Sequence, residues 1–226
     1  QLNGNMMPLF PEYTDVRNNL KNCPLRLTKE CVTLTSASAY LELDLCNMYE
    51  FSTSFTYAIG VDHDGDCLNW ATADGLAFVI HQDLRGLNAL GGSGPDLGVY
   101  DLGGGGGTAN ALVIEMDPWK NTHRTVYLDN LDDQIHVITT DSRGKLTERY
   151  EASCQPHHLA PRTVVVSYDG SHLTISHSGC TALHSFPLDL NSIFDGPRVY
   201  MGFSGATGPS TSTQEIWGWS FRQECF

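Results

Sequence analysis

The stretch Thr163-Val164-Val165-Val166-Ser167-Tyr168-Asp169-Gly170-Ser171-His172-Leu173-Thr174-Ile175-Ser176 reads as a complete β-hairpin. A β-branched run leads into Asp169-Gly170, which supplies the positive φ angles of a tight turn. Leu173 and Ile175 then alternate with polar neighbours, as a half-buried strand does. Eight further runs of this character lie between Gly, Asn and Asp clusters, at 31–35, 39–45, 51–59, 76–81, 111–116, 134–139, 199–204 and 215–221. No segment sustains apolar spacing at i, i+3, i+4 and i+7, and the only helical signal is a turn within 188–194. The chain therefore reads as an all-β sandwich or barrel.

At 226 residues without a composition shift that would mark a linker, the sequence reads as a single domain over 1–226. Segment 91–107 holds nine glycines, five of them consecutive, and reads as a long surface loop because glycine loses the most entropy on ordering. The net charge of −13 and thirteen scattered cations exclude a strong basic patch, so nucleic acid is not a partner. No apolar run is long enough to insert in a membrane. A first residue other than Met reads as a processed secreted chain or as a piece of a longer one, and the first alternative implies a secretory route. Seven cysteines without CxxC spacing favour disulfides over zinc. Cys23 with Cys31, Cys46 with Cys67 and Cys154 with Cys180 are trial pairings that spacing alone does not fix, and Cys225 is left to pair with another chain or segment.

Around this frame, 111–121 ends an apolar strand with Glu115 and Asp117, followed by Pro118, Trp119, Lys120 and Asn121. Carboxylates two apart on a strand share a face and converge on one cation, whereas an isolated pair is more often a solvated face. A Ca²⁺ ion would accept the carboxylates, a backbone carbonyl and the Asn oxygen from such a strand end. A glycoside hydrolase strand of the form Glu-x-Asp-x-x-Glu is the enzymatic alternative, but its proton donor would be Lys120, which cannot serve. The acidic stretch 61–66 opens like a calcium loop but has Ala73 where an EF-hand needs Glu, and His157, His158, His172, His177 and His184 read as surface residues.

Four motifs in order then carry a resemblance. Ala73-Asp74-Gly75-Leu76-Ala77-Phe78-Val79, the 91–98 glycine segment, Val113-Ile114-Glu115-Met116-Asp117-Pro118-Trp119-Lys120-Asn121, and Tyr200 to Gly208 with Ile216-Trp217-Gly218-Trp219-Ser220-Phe221 resemble the L-type (legume-lectin-like) family. The resemblance implies a concanavalin-like jelly-roll sandwich that binds glycans without catalysis. It implies a cis peptide before Asp74, whose carboxylate takes sugar hydroxyls. Gly94, with Gly92 as the alternative, would offer a backbone N–H, Asn121 a side-chain contact, and Pro209 and Ser210 the variable specificity loop. It assigns calcium to Glu115, Asp117, the Trp119 carbonyl, Asn121 and Asp129, with Asp132 and Asp133 as alternatives to the last. The family's transition-metal histidine falls on Gln134, with His136 two residues on, a departure that counts against a Mn²⁺ site. Trp119 is either a sugar platform or a packed loop aromatic, and Trp217 and Trp219 read as core or sheet face rather than ligand contacts. The leading expectation is a calcium-dependent lectin, secreted or lumenal, with glycans or glycoproteins as partners, acting as a homodimer or attached to a larger chain. An adhesion or matrix sandwich that has lost sugar binding is the second reading.

Overall fold

A computed structural model describes residues 2–4, 24–29, 31–46, 50–60, 72–101, 106–119, 134–152 and 160–223. Among them run thirteen strands: β1 Leu2–Gly4, β2 Leu25–Thr28, β3 Thr35–Asp44, β4 Phe51–Gly60, β5 Gly75–His81, β6 Ala111–Asp117, β7 Gln134–Thr140, β8 Leu146–Ala152, β9 Arg162–Tyr168, β10 His172–His177, β11 His184–Pro187, β12 Arg198–Thr207 and β13 Thr213–Arg222. They form two antiparallel sheets, one of seven strands in the order β1-β3-β12-β5-β6-β7-β8 and one of six in the order β11-β10-β9-β4-β13-β2. This is a jelly-roll sandwich.

Period-two patterning builds the core between the sheets. In β4, Phe51, Thr53, Phe55, Tyr57 and Ile59 are buried while the intervening residues are half-exposed. Phe55 packs on Phe78 at 5.4 Å and on Phe203 at 5.1 Å between ring centroids, and Phe203 meets Trp219 at 5.4 Å. Trp219 is thus a partly buried residue packed against the core. Trp217 sits partly buried at a register shift between Ile216 and Gly218.

β5 and β6 are buried along their whole lengths, which explains their nearly continuous apolar sequence. Leu112, Ile114 and Met116 face the core between the sheets. Ala111 and Val113 face the other way and pack with Ala77, Val79, Tyr40, Val99 and Tyr100. Glu115 and Asp117 continue this second face, so the fold delivers both acids to the outer side of the seven-stranded sheet at one end of β6.

Several expectations need correction. Within the expected 31–35 strand only Thr35 is extended, because Cys31 and Leu34 take positive φ of 64° and 54°. β2, β8 and β11 lie at or beside sheet edges, and their polar, weakly alternating sequences gave no strand signal. In the β9–β10 hairpin only Gly170 has positive φ, at 92°. Asp169 instead caps the turn, its Oδ1 accepting from the backbone N–H of Ser171 and His172 at 2.9 and 2.7 Å. His177 is buried rather than superficial, hydrogen-bonded through Nε2 to the Tyr57 hydroxyl at 3.0 Å. The helical signal within 188–194 is a single 3₁₀ turn, Leu190–Ser192.

The glycine-rich segment 91–107 is not a loose surface loop over its described part. Gly94–Asp96 forms a 3₁₀ turn, residues 96–100 are buried, and the Gly91 and Gly92 N–H groups donate to the carbonyls of Gly98 and Tyr100 at 2.7 Å each. A Cβ at Gly91 would meet the Val99 carbonyl carbon and Tyr100 oxygen at 2.5 Å, so here glycine permits close backbone packing rather than slack. Cys31, Cys46 and Cys180 are disulfide-bonded. Each trial pairing also includes Cys23, Cys67 or Cys154, which lie outside the described residues, as does Cys225. The acidic stretch 61–66 and the His157-His158 pair lie outside them too.

Candidate functional site

The site is built at the ends of β5, β6 and β12, where the seven-stranded sheet emerges from its covering turns. Asp74 directly precedes β5 and is buried, and the Ala73-Asp74 peptide is cis, as the resemblance implies. Its position is fixed from two sides. The Asp74 N–H donates to the Ala206 carbonyl of β12 at 3.1 Å, and the Ser212 hydroxyl donates to the Ala73 carbonyl at 2.8 Å. Gly75, at φ 148°, lies so close to β6 that a Cβ there would stand 2.6 Å from the Met116 carbonyl oxygen and 3.2 Å from the Asp117 Cα. The Asp74 loop therefore abuts the Asp117–Pro118 turn.

Gly94 and Gly208 complete this corner. A Cβ on Gly94, at φ 64°, would lie 3.6 Å from the Gly208 Cα and 3.9 Å from Asp74 Oδ2, and a Cβ on Gly208 would lie 2.8 Å from the same oxygen. Pro209, exposed, and Ser210, half-buried, follow directly. Asp74, Gly94 and the 208–210 segment, separated by up to 136 positions along the chain, thus meet at one place. Gly208 is a site residue that sequence reasoning missed, because its contact with Asp74 joins positions 134 apart in the chain.

The metal-ligating group lies beside it. Glu115, Asp117 and His136 are all buried, and one ligand atom from each lies within 4.8 Å of the others. Strand register brings them together, because Glu115 stands directly across from His136, and Asp117 from Gln134, in the β6–β7 pair. His136 Nδ1 lies 3.1 Å from Glu115 Oε2, with the two side chains 1% and 6% exposed. Asp117 Oδ1 accepts from the Trp119 N–H at 2.9 Å, which turns the chain away after Pro118 and leaves Trp119 39% exposed. Two buried carboxylates beside one imidazole form a donor set that suits a divalent cation, since burying like charges together is costly without one. Asn121, Asp129, Asp132, Asp133 and Lys120 lie outside the described residues, as does the Gln134 side chain.

A second polar cluster secures the far end of β5. Arg85 donates from Nε and Nη2 to the Asp83 carboxylate at 2.8 Å each, and reaches the carbonyls of Leu90 and Gly107 at 3.0 and 3.1 Å. Burial raises the Asp83 carboxyl, but the Arg85 guanidinium and the Ala109 and Arg85 N–H groups outweigh it and bring the pKa to about 2. This clamp ties the glycine-rich segment to the sheet, and so helps to place Gly94.

Comparison with known proteins agrees with this geometry. The family model of the legume lectin domain matches residues 24–225. The L-type lectin-domain containing receptor kinase I.7 of Arabidopsis thaliana is 40% identical over 158 residues, covering 64% of this chain and 23% of the kinase. A lectin of Leucomphalos mildbraedii is 26% identical over 178 residues, 76% of this chain and 68% of that one. The chain spans only 23% and 30% of the first two receptor kinases it matches. Among solved structures, the lectin from Bauhinia forficata in complex with GalNAc superposes with a TM-score of 0.70 at 24% identity, covering 98% of this chain and 90% of that one. The chain belongs to the legume lectin domain family.

Proposed function

We propose that residues 1–226 act as one calcium-dependent glycan-binding domain. The observation that carries this reading is the meeting of Asp74, Gly94 and Gly208 against the strand end that bears Glu115 and Asp117. Asp74 supplies a carboxylate that accepts sugar hydroxyls, Gly94 a close-approaching backbone N–H, and Pro209 and Ser210 the contacts that set specificity. Calcium fits oxygen donors of this kind. Glu115, Asp117, the Trp119 carbonyl, Asn121 and Asp129 would hold it, and it would supply charge neutralisation and a fixed Asn121 amide for the sugar.

Single sites of this type are shallow and wet, so useful avidity comes from multivalency, through a homodimer or attachment to a larger chain. Disulfides, lectin relatives and the extracellular role of receptor ectodomains favour a secreted, extracellular or lumenal setting with glycans or glycoproteins as partners. Among the described residues no helix is long and apolar enough to cross a membrane.

The test is glycan binding by Asp74→Ala and Asn121→Ala beside the wild type, in calcium, with thermal melts of each. Loss of binding in both folded variants is the expected result. Binding that survives both would refute the reading, and no glycan binding by the folded wild type would favour an adhesion or matrix sandwich.

A further inference from the structure

We propose that segment 31–35 is a positioning arm for the sugar-contacting turn 208–210, fastened alongside it by the hydroxyls of Thr207 and Thr211. The inference rests on the glycan reading given above and adds residues that set affinity without touching the sugar. Residues 31–34 are all exposed and precede β3 without regular structure, yet Cys31 and Leu34 hold positive φ of 64° and 54°. Residues other than glycine keep such angles only where their surroundings hold them, so the arm is fixed from outside itself.

The fastening comes from the opposite strand. β3 and β12 pair regularly up to Thr35 and Thr207. Two residues further on, Pro209 has no N–H, so an ordinary backbone ladder does not continue through it. Side-chain hydroxyls take over. The Leu34 N–H still donates to the Gly208 carbonyl at 3.0 Å. The Thr207 hydroxyl donates to the Val32 carbonyl at 2.8 Å, and the Cys31 N–H donates to the Thr211 hydroxyl at 3.0 Å. A hydroxyl has one proton, and that of Thr207 is committed to Val32. The Thr35 hydroxyl, 2.9 Å away, is therefore the donor to Thr207. Thr35, Thr207 and Thr211 are all buried, where the low local dielectric strengthens each bond. Cys31 is disulfide-bonded, which tethers the arm at its outer end.

A further link reaches Asp74. The Thr28 hydroxyl donates to the Ser212 carbonyl at 2.8 Å, and the Ser212 hydroxyl donates to the Ala73 carbonyl at 2.8 Å. The arm and the strand before it thus brace both the 208–210 turn and the peptide that presents Asp74. Prior ordering of a site lowers the entropy that binding must overcome, so loosening the arm weakens glycan affinity without removing a contact.

The competing use of these hydroxyls is stability alone. Thr207→Val and Thr211→Val are compared with Thr207→Ser and Thr211→Ser. Thr56→Val is the control, since it breaks a similar hydroxyl pair with Thr163, 2.9 Å apart in the six-stranded sheet. Each protein is measured by calorimetric glycan titration well below its melting temperature and by residue-resolved amide hydrogen exchange. The expected result is Kd weakened at least about fivefold, with faster exchange at Cys31 and Leu34, in both valine variants, and Kd within about twofold of wild type in the serine variants and the control. Valine variants with a lowered Tm but unchanged Kd, or serine variants as weak as the valine ones, overturn the proposal.

A measurement on the wild type alone covers the case in which neither valine variant folds. The Leu34 N–H, although on an exposed residue, should exchange as slowly as the amides of β12, and exchange at the rate of an unstructured chain overturns the arm. A folded wild type that binds no glycan defeats the proposed function, and the exchange data then judge the arm by themselves. A wild type that binds glycan, with valine variants that bind it equally well, defeats only the arm.

Discussion

Gly208→Ala places the sugar-site geometry under direct strain. A Cβ at this position would stand 2.8 Å from Asp74 Oδ2 and 3.5 Å from the Gly94 Cα. Ordinary carbon–oxygen contact needs about 0.5 Å more, so one of the three groups must move. Gly208 is not among the positive-φ residues, so alanine meets no backbone penalty there and the effect is steric alone. Asp74 has little freedom to retreat, because its N–H is bonded to Ala206 and the Ala73 carbonyl to Ser212. The carboxylate therefore yields by rotation, and a charge-assisted hydrogen bond to a sugar hydroxyl, worth about 1.5–3 kcal/mol, is misaligned or lost. That corresponds to a roughly 10- to 150-fold weaker Kd. Stability changes little, since a strain of about 1 kcal/mol is offset by the lower unfolded-state entropy of alanine, about 0.4–1 kcal/mol. The assay is calorimetric titration with the best glycan, paired with a thermal melt. Gly60→Ala serves as control, since nothing lies within 4 Å of its Cβ position. Undiminished affinity in a Gly208→Ala protein of normal Tm would refute the placement of the sugar at this corner.

Other expectations follow from the same framework. Phe203→Ala removes a ring packed on Phe55, Phe78 and Trp219 and should cost about 3–5 kcal/mol, read by denaturant unfolding. His81 and His177 are both held neutral, their pKa values lowered to about 4 chiefly by burial. Their unfolded forms bind protons first, so stability is full above about pH 6.5 and falls as the pH drops toward 4, by on the order of 3 kcal/mol for the deeply buried His81 and by less for His177. His177→Gln should flatten part of that slope in melts across this window, and an unchanged slope would refute the assignment. For Asp83 the depressed carboxyl gives stability that is present above about pH 4 and is lost as the pH falls through about 2. Asp83→Asn should thus lower Tm at pH 7 and leave it little changed at pH 2.

The fold was legible where sequence alternation and burial coincide. β4 reads as alternating because one of its faces is covered, and β9–β10 declares itself through a glycine turn. β5 and β6 were legible for the opposite reason, as short apolar runs covered on both faces. The edge strands β8 and β11 were not, because their sequences carry too few apolar residues to give a clear pattern. The glycine segment misled because composition signals conformational freedom, while its actual use is close packing of Gly91 against Val99 and Tyr100. At the site, Glu115 and Asp117 could be paired from spacing alone. Gly208 could not, since its contact with Asp74 joins positions 134 apart in the chain. The role of His136 depends on which rung of the β6–β7 ladder it occupies, and a sequence does not display register between strands joined by a long connection.

The most direct test of metal-dependent sugar recognition is a glycan array probed with the purified domain in calcium and again in excess chelator. The account predicts binding to a defined set of glycans in calcium, lost in chelator and restored when calcium is returned. Binding that persists in chelator, or none in calcium from a correctly folded domain, would contradict it.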